Sequence, residues 1–146
     1  MAPRRRSHQL QAKIQLDSTT QDYKKEHAKY QKRMHDLHIQ RKTNTSIDFE
    51  INEAAREFNR RFPKSRDHYD LHWMTTEGAL SYILEICECM RGRGVRKAVI
   101  ETGRGNHSTD GFAAIREMCL KRLDGRGGCR FEKHPWNEGC LVLRVR

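Results

Sequence analysis

Long hydrophobic runs are absent from this 146-residue sequence, and so is the C-x-x-C motif. No stretch approaches the roughly 18 apolar residues of a membrane span, and no apolar segment follows the start MAPRRRS. We therefore expect neither a membrane span nor a secretory signal peptide. Five cysteines without a C-x-x-C pair argue against a disulfide framework and a structural zinc site. These absences predict an intracellular, cytoplasmic protein; the run RRR makes a nuclear location the alternative.

Acidic residues are scarce in the first half of the chain. Residues 1–66 hold 16 lysines and arginines against 8 aspartates and glutamates, whereas residues 67–146 hold 13 against 11. The net charge of +10 therefore belongs mainly to the N-terminal part. A basic arm suits a polyanionic partner such as nucleic acid, and a merely solvated surface is the alternative. A membrane surface is disfavoured because the arm lacks a broad apolar face.

The N-terminal part is predicted to be a basic disordered tail, residues 1–16, followed by a helical extension over residues 17–66. The first helix has apolar residues at spacings of seven, four and three, which are Tyr23, Tyr30, Met34 and Leu37. The segment KTNTS interrupts it, and a second helix is predicted over residues 48–62. A helix with only a narrow apolar stripe is marginally stable in isolation, so we expect these helices to pack on the following domain. They would act as a structural brace or as a binding arm.

From residue 67 the sequence alternates between strand and helix patterns. Strands are predicted in the segments HYDLHWM, VRKAVIET, CRFEKH and CLVLRVR. Helices are predicted from Thr75 or Thr76 to the stretch RGRG, and from Phe112 to Leu123. The order β-α-β-α-β-β predicts a two-layer α/β domain over residues 67–146, with one mixed four-stranded sheet and parallel crossovers.

Two polar residues stand at the end of the first predicted strand, where parallel sheets usually bind ligands. Asp70 and His72 are two residues apart and would share one face of the strand. A carboxylate fixes the tautomer of an imidazole and stabilises its protonated form, as general acid–base catalysis requires. Ordinary hydrogen bonding on a sheet face is the alternative. Two ligands are too few for a metal site, so we expect no metal.

A glycine-rich segment, TGRGNHS, follows the second predicted strand. Gly103 and Gly105 allow backbone amides to approach an anion, and Arg104 offers a planar fork suited to a phosphodiester. The segment matches neither a P-loop nor a dinucleotide fingerprint, since the third glycine position is Ser108. We predict a phosphate-binding loop, with a plain glycine-rich turn as the alternative. In this loop His107 would contact substrate or only close the turn.

Two tryptophans are candidates for stacking on a nucleic-acid base. Trp73 directly follows His72, and Trp136 lies in HPWNEG between the last two predicted strands. Stacking on aromatic rings is a common way to hold single-stranded nucleic acid. Packing inside the protein is the alternative for both side chains.

Together, YDLHWMTTEGAL, VIETGRGNHS and PWNEGCLVLRV resemble the Smr (small MutS-related) domain over residues 68–146. The paired signatures are D-L-H on the first strand and T-G-R-G after the second. The spelling TGRGNHS is similar to the eukaryotic branch of the family. Residues 20–62, with AAREFN close to the domain, more loosely resemble the helical extension of eukaryotic members.

The resemblance implies a fold similar to the C-terminal domain of bacterial translation initiation factor three, and nuclease activity. Bacterial relatives nick DNA, whereas eukaryotic relatives cleave RNA, including messenger RNA on stalled ribosomes in no-go decay. By matching position, it implies Asp70, His72 and Arg104 as catalytic residues, with no metal or other cofactor. The family usually has glycine where this sequence has Trp73, which bears on substrate choice. The predicted nucleic-acid-binding residues are Thr102, Gly103, Gly105, Asn106, His107, Ser108, Trp73 and Trp136.

With RNA as substrate and no metal, the ribose 2′-hydroxyl becomes the internal nucleophile. His72 would act as general base or acid with Asp70 orienting it, and Arg104 would stabilise the charge on phosphorus. The expected partner is RNA, including ribosome-bound messenger RNA in translation-linked quality control. Two alternatives stay open: a non-catalytic RNA- or ribosome-binding module, and a DNA-nicking endonuclease, which has no 2′-hydroxyl route. The sequence leaves the oligomeric state open.

Overall fold

A computed structural model describes residues 20–103 and 113–146. The elements in chain order are α1 (Gln21–Arg41), α2 (Ile47–Arg61), β1 (His68–Asp70), α3 (Thr76–Arg93), β2 (Lys97–Glu101), α4 (Ala114–Met118), β3 (Cys129–Lys133) and β4 (Cys140–Val145). A π-helical segment, Cys119–Leu123, continues α4. This order confirms the predicted α/β fold, in which two helices precede a β-α-β-α-β-β unit. The predicted basic tail lies outside the described residues.

The four strands form one mixed sheet in the order β1-β2-β4-β3. Strand β1 runs parallel to β2, whereas β4 is antiparallel to both β2 and β3. Strand β1 therefore lies at an edge of the sheet, and its carboxyl end is next to the carboxyl end of β2. The register pairs Asp70 directly with Glu101, so these two side chains lie on the same face of the sheet.

Strand β1 is shorter than the predicted strand over residues 68–74 and ends at Asp70. Leu71 still donates its backbone N–H to the carbonyl of Glu101 at 2.8 Å. The chain then turns, because the Met74 N–H donates to the Leu71 carbonyl at 2.9 Å. His72 and Trp73 therefore lie in a tight turn between strand and helix, not on a strand.

One cluster of buried apolar side chains joins the helical extension to the α/β part. Met34 of α1, Ile51 of α2, and Ile100 of β2 are all fully buried within it. The Tyr30 ring of α1 also stacks on the Phe58 ring of α2, with centroids 4.1 Å apart. Helices α1 and α2 therefore pack on the sheet domain, as their narrow apolar stripes lead us to expect. The division of the chain near residue 67 stays a prediction.

The cysteines and the apolar character of the helices can also be examined in the described residues. All five cysteines, which lie within these residues, are free thiols, and only Cys89 is exposed. No helix in the described part of the chain combines the length and the apolar character needed to cross a bilayer.

Candidate active site

The turn after β1 folds His72 back onto Asp70. The His72 Nδ1–H donates to Asp70 Oδ1 at 2.5 Å, and the His72 backbone N–H donates to the same oxygen at 3.1 Å. Both side chains are largely buried, with exposed fractions of 10% and 11%. The structure thus has the carboxylate–imidazole pair that the motif suggests, but a local aspartate turn forms it instead of a shared strand face.

A second carboxylate, from Glu101, completes the cluster and is not among the site residues predicted from the sequence. Glu101 ends β2, and its Oε2 lies 3.6 Å from His72 Nδ1. Its Oε1 accepts from His68 Nε2 at 3.1 Å and lies 3.5 Å from Lys64 Nζ. The sequence contains one signal for it: Glu101 is the penultimate residue of the predicted strand VRKAVIET, near the carboxyl end where α/β sheets usually bind ligands.

The surrounding charges shift the ionisation of both His72 and Glu101. Burial lowers the pKa of His72, but its hydrogen bond to Asp70 and the charges of Asp70 and Glu101 raise it above the ordinary value overall. Burial opposes the ionisation of Glu101, yet the hydrogen bond from His68 and the nearby positive groups bring the pKa of Glu101 to about 2. Glu101 is therefore anionic at neutral pH, where His72 is well placed to gain and lose a proton.

The same cluster offers oxygen and nitrogen atoms that could hold a divalent cation. The candidate ligand atoms of Asp70, His72 and Glu101 all lie within 4.8 Å of one another. No metal was expected from the sequence because Asp70 and His72 alone offer too few ligands. Glu101 adds a third ligand to this pair. However, Lys64 and His68 already place positive charge and a hydrogen bond on Glu101, which weakens its attraction for a cation.

Helix α1 borders this cluster. Burial and the nearby charges of Asp70 and Glu101 raise the pKa of Tyr23 to about 12. Burial lowers the pKa of His27, although the same two carboxylates oppose that change. The helical extension therefore lies within electrostatic range of the two carboxylates, and its ionisable groups belong to the surroundings of the site.

Gly103 packs against His72, which differs from the predicted role of its amide. Its φ is +79°, and a Cβ at this position would lie 2.9 Å from the Cβ of His72. Its N–H donates to the Gly139 carbonyl at 3.0 Å, so this amide is already used within the protein. The glycine is therefore required for the backbone conformation and the close approach to His72, not for presenting an amide to phosphate.

The remaining predicted binding residues fall into three groups. Thr102 is buried, and its N–H donates to the Gly139 carbonyl. Trp73 is 5% exposed and its ring centroid lies 5.0 Å from that of His72, which favours the packing alternative. Trp136 is 89% exposed, so its ring is accessible for stacking on a base. The residues outside the described part of the chain are Arg104, Gly105, Asn106, His107 and Ser108, and their roles stay predictions.

Replacing Gly103 by alanine is expected to displace His72. Gly94 provides a matched control, because its φ is +69° but an added Cβ meets no described atom within 4 Å. Each variant should lose about 1–2 kcal/mol of unfolding free energy from its positive φ, and Gly103→Ala should lose more through its contact with His72. Urea unfolding and the NMR signals of the His72 ring measure the two effects. Equal losses, with unmoved His72 signals, would contradict the contact.

No protein-family model matches this sequence, and neither does any curated protein. Among solved structures, the solution structure of the Smr domain of B3BP matches with a TM-score of 0.51 and 24% sequence identity. The match covers 69% of this chain and 97% of that domain. The likeness confirms the architecture that the D-L-H and T-G-R-G motifs predict: the chain has the fold of an Smr domain.

Proposed function

We propose that this protein is an endoribonuclease whose Asp70–His72 pair cleaves RNA by metal-independent acid–base chemistry. The observation that carries the proposal is the 2.5 Å contact between His72 Nδ1 and Asp70 Oδ1. This pair lies at the adjoining carboxyl ends of two parallel strands, where α/β sheets usually bind ligands. The resemblance of the motifs to Smr nucleases supports the same reaction class.

In this proposal each nitrogen of the His72 ring has a distinct task. Because Nδ1–H is bonded to Asp70, Nε2 is the atom that exchanges a proton with the substrate. Nε2 takes the proton of the 2′-hydroxyl as O2′ attacks phosphorus, and the bond from phosphorus to O5′ breaks. Water donates a proton to O5′, and the protonated His72 then releases its own proton to solvent. The products are a 2′,3′-cyclic phosphate and a 5′-hydroxyl, and Arg104 is proposed to stabilise the charge on phosphorus.

We extend the proposal to the biological substrate, which is messenger RNA in translation-linked quality control in the cytoplasm. The support is the spelling TGRGNHS, which is similar to the eukaryotic branch of the family. The basic excess of residues 1–66 fits a nucleic-acid partner, since lysines and arginines release counterions from the phosphate backbone.

A second candidate function is hydrolysis of a phosphodiester with a divalent cation, and the Asp70–His72–Glu101 cluster favours it. A cation at this cluster would activate water and stabilise charge on phosphorus. That chemistry needs no 2′-hydroxyl, so it would act on DNA as well as on RNA. Its products would carry a 5′-phosphate or a 3′-phosphate without the cyclic form.

Incubation of end-labelled single-stranded RNA with the purified chain in EDTA tests the first candidate. We expect fragments with 5′-hydroxyl and 2′,3′-cyclic phosphate ends. The double variant Asp70→Ala, His72→Ala should not cleave, although it should keep most of its RNA affinity. His35→Ala removes an exposed histidine and serves as the matched control.

Each other outcome of this experiment supports a named alternative. Cleavage only after a divalent cation is added, with linear phosphate ends, supports the second candidate and contradicts the metal-independent scheme. Binding without cleavage, under both conditions, supports a non-catalytic RNA-binding module. Equal cleavage by the wild type and the double variant would assign the activity to a contaminant.

A further inference from the structure

The open edge of strand β1 is occupied by a side chain of helix α2. Leu71 donates to the carbonyl of Glu101 on β2, so alternation along the strand turns the peptide groups of Asp70 to the other side. There the Asp70 N–H donates to Asn59 Oδ1 at 2.8 Å, and Asn59 Nδ2 donates to the Asp70 carbonyl at 2.8 Å. The carboxamide of Asn59 thus makes the two hydrogen bonds that a neighbouring strand would make.

The orientation of the Asn59 carboxamide is fixed by its surroundings. Asn59 is buried, and its Nδ2 also donates to the Ala55 carbonyl at 3.0 Å. Both hydrogens of the amide nitrogen therefore have acceptors, while its oxygen accepts from Asp70. A flipped amide would face the Asp70 N–H with donors. The carboxamide therefore ties the backbone of Asp70 to α2.

A second asparagine of α2 holds the other end of the same turn. Asn52 lies two helical turns before Asn59, so both side chains lie on one face of α2. The Thr75 N–H donates to Asn52 Oδ1 at 3.0 Å, and Asn52 Nδ2 donates to Thr75 Oγ1 at 3.0 Å. Gly78 provides the space, because a Cβ there would lie 2.2 Å from Asn52 Nδ2.

Helix α1 supplies one further contact in the middle of the turn. The His38 Nε2–H donates to the Trp73 carbonyl at 2.6 Å. The helical extension thus holds the backbone of the turn at Asp70, Trp73 and Thr75. His72 stands between these attachment points, so its main chain has little freedom to move.

We infer that Asn52 and Asn59 of α2 are positioning residues for catalysis, and we name this pair the asparagine clamp. The clamp holds the backbone of the turn so that His72 Nδ1 stays on Asp70 Oδ1. The inference rests on the proposed nuclease function, and it gives the helical extension a role beyond bracing the domain. A misplacement of about 1 Å in a catalytic group costs about 10²-fold in rate, so even a partial loss of the clamp should be visible.

The test measures the NMR titration of the His72 ring and the rate of RNA cleavage in the full chain. Asn59→Ala should reduce the single-turnover cleavage rate about tenfold or more. The pKa of His72 should fall toward its ordinary value, because Asp70 is no longer held against Nδ1. The other charged groups near His72, Glu101 and Lys64, are left unchanged. Ile51→Val, a buried change on the same helix, should move neither readout.

A pair of glycine substitutions on α3 tests the clamp without removing any of its atoms. Gly78→Ala should displace Asn52 and shift the His72 titration in the same direction as Asn59→Ala. Gly92→Ala, on the same helix, is the control, since an added Cβ there meets no described atom within 4 Å. If Asn59→Ala does not fold, Gly78→Ala carries the test.

The two readouts separate this inference from the proposed nuclease function. A wild-type titration of His72 in both Asn59→Ala and Gly78→Ala would overturn the clamp, whatever the chain does to RNA. If the His72 titration shifts in both variants but the wild-type chain cleaves no RNA, the clamp does position His72. Its role in catalysis would then be overturned together with the proposed function. Shifted titrations with slowed cleavage would support both.

Discussion

His72→Ala is expected to slow RNA cleavage by about 10²–10⁴-fold, because it removes the group that exchanges protons with the substrate. RNA affinity should change little, since the imidazole is largely buried and acts in the reaction, not in charge attraction. Single-turnover cleavage of a labelled oligonucleotide at saturating protein measures the chemical step. Equilibrium binding to an uncleavable 2′-O-methyl RNA measures affinity separately.

The exposed histidine variant His35→Ala should cleave at the wild-type rate, which shows that the loss at His72 is specific. A His72→Ala protein that folds normally and cleaves within a factor of about three of the wild type would contradict the proposed role of His72, because one acid–base group contributes far more. Parallel losses of cleavage and affinity would instead indicate a binding role.

Asp70→Asn should also have a large effect, up to about 10⁴-fold in the cleavage rate, because the carboxylate fixes the tautomer of the imidazole. The side chain keeps its size, so packing is largely retained. Asp70 raises the pKa of His72, and its loss should therefore lower that pKa. The limb of the pH–rate profile that reports His72 should move to lower pH. An unmoved limb, or a rate near that of the wild type, would contradict the pairing.

The Asp70–His72 pair also gives protein stability a pH dependence of known sign. Because the pKa of His72 in the folded chain is raised above the ordinary 6.5, protonation of His72 favours the folded state. This contribution is fully present below about pH 6.5 and is lost as the pH rises through the folded-state pKa. Urea unfolding should therefore show a larger deficit for Asp70→Asn at about pH 5.5 than at about pH 8.5. A deficit that grows with pH would contradict the assignment.

The sheet domain could be predicted because each of its elements carries a local signal. Short apolar runs mark β2 and β4. Thr75 caps α3 before a helical pattern that ends at Gly94. Such signals depend only on neighbouring residues, so they can be identified without knowledge of the tertiary fold. Strand β1 was predicted too long because Leu71 and Trp73 are buried in a turn, where apolar side chains imitate the alternation of a strand.

The candidate site could be predicted only in part, because most of its contacts join distant segments. The Asp70–His72 pair is local and carries a motif. Glu101 reaches the same place only through the register of two parallel strands, and Asn59 only through the packing of α2 on the edge of β1. Neither the strand register nor the helix packing follows from residue spacing along the chain.

The role of Trp73 could not be decided from the sequence. A tryptophan beside a catalytic motif fits stacking on a base as well as packing in the core. In the structure the Trp73 ring lies between those of His38 and His72, with centroid distances of 5.5 Å and 5.0 Å. The large ring thus fills the space between the helical extension and the turn, and its place depends on a helix that is distant in sequence.

The central claim is that the 2′-hydroxyl of RNA is the nucleophile activated by His72. The most direct test uses an RNA oligonucleotide with a mapped cleavage position, compared in EDTA with the same RNA carrying one 2′-deoxynucleotide on the 5′ side of that bond. Cleavage at this phosphate should disappear while cleavage at neighbouring positions continues. Persistent cleavage at the deoxy position would contradict the account and indicate attack by water.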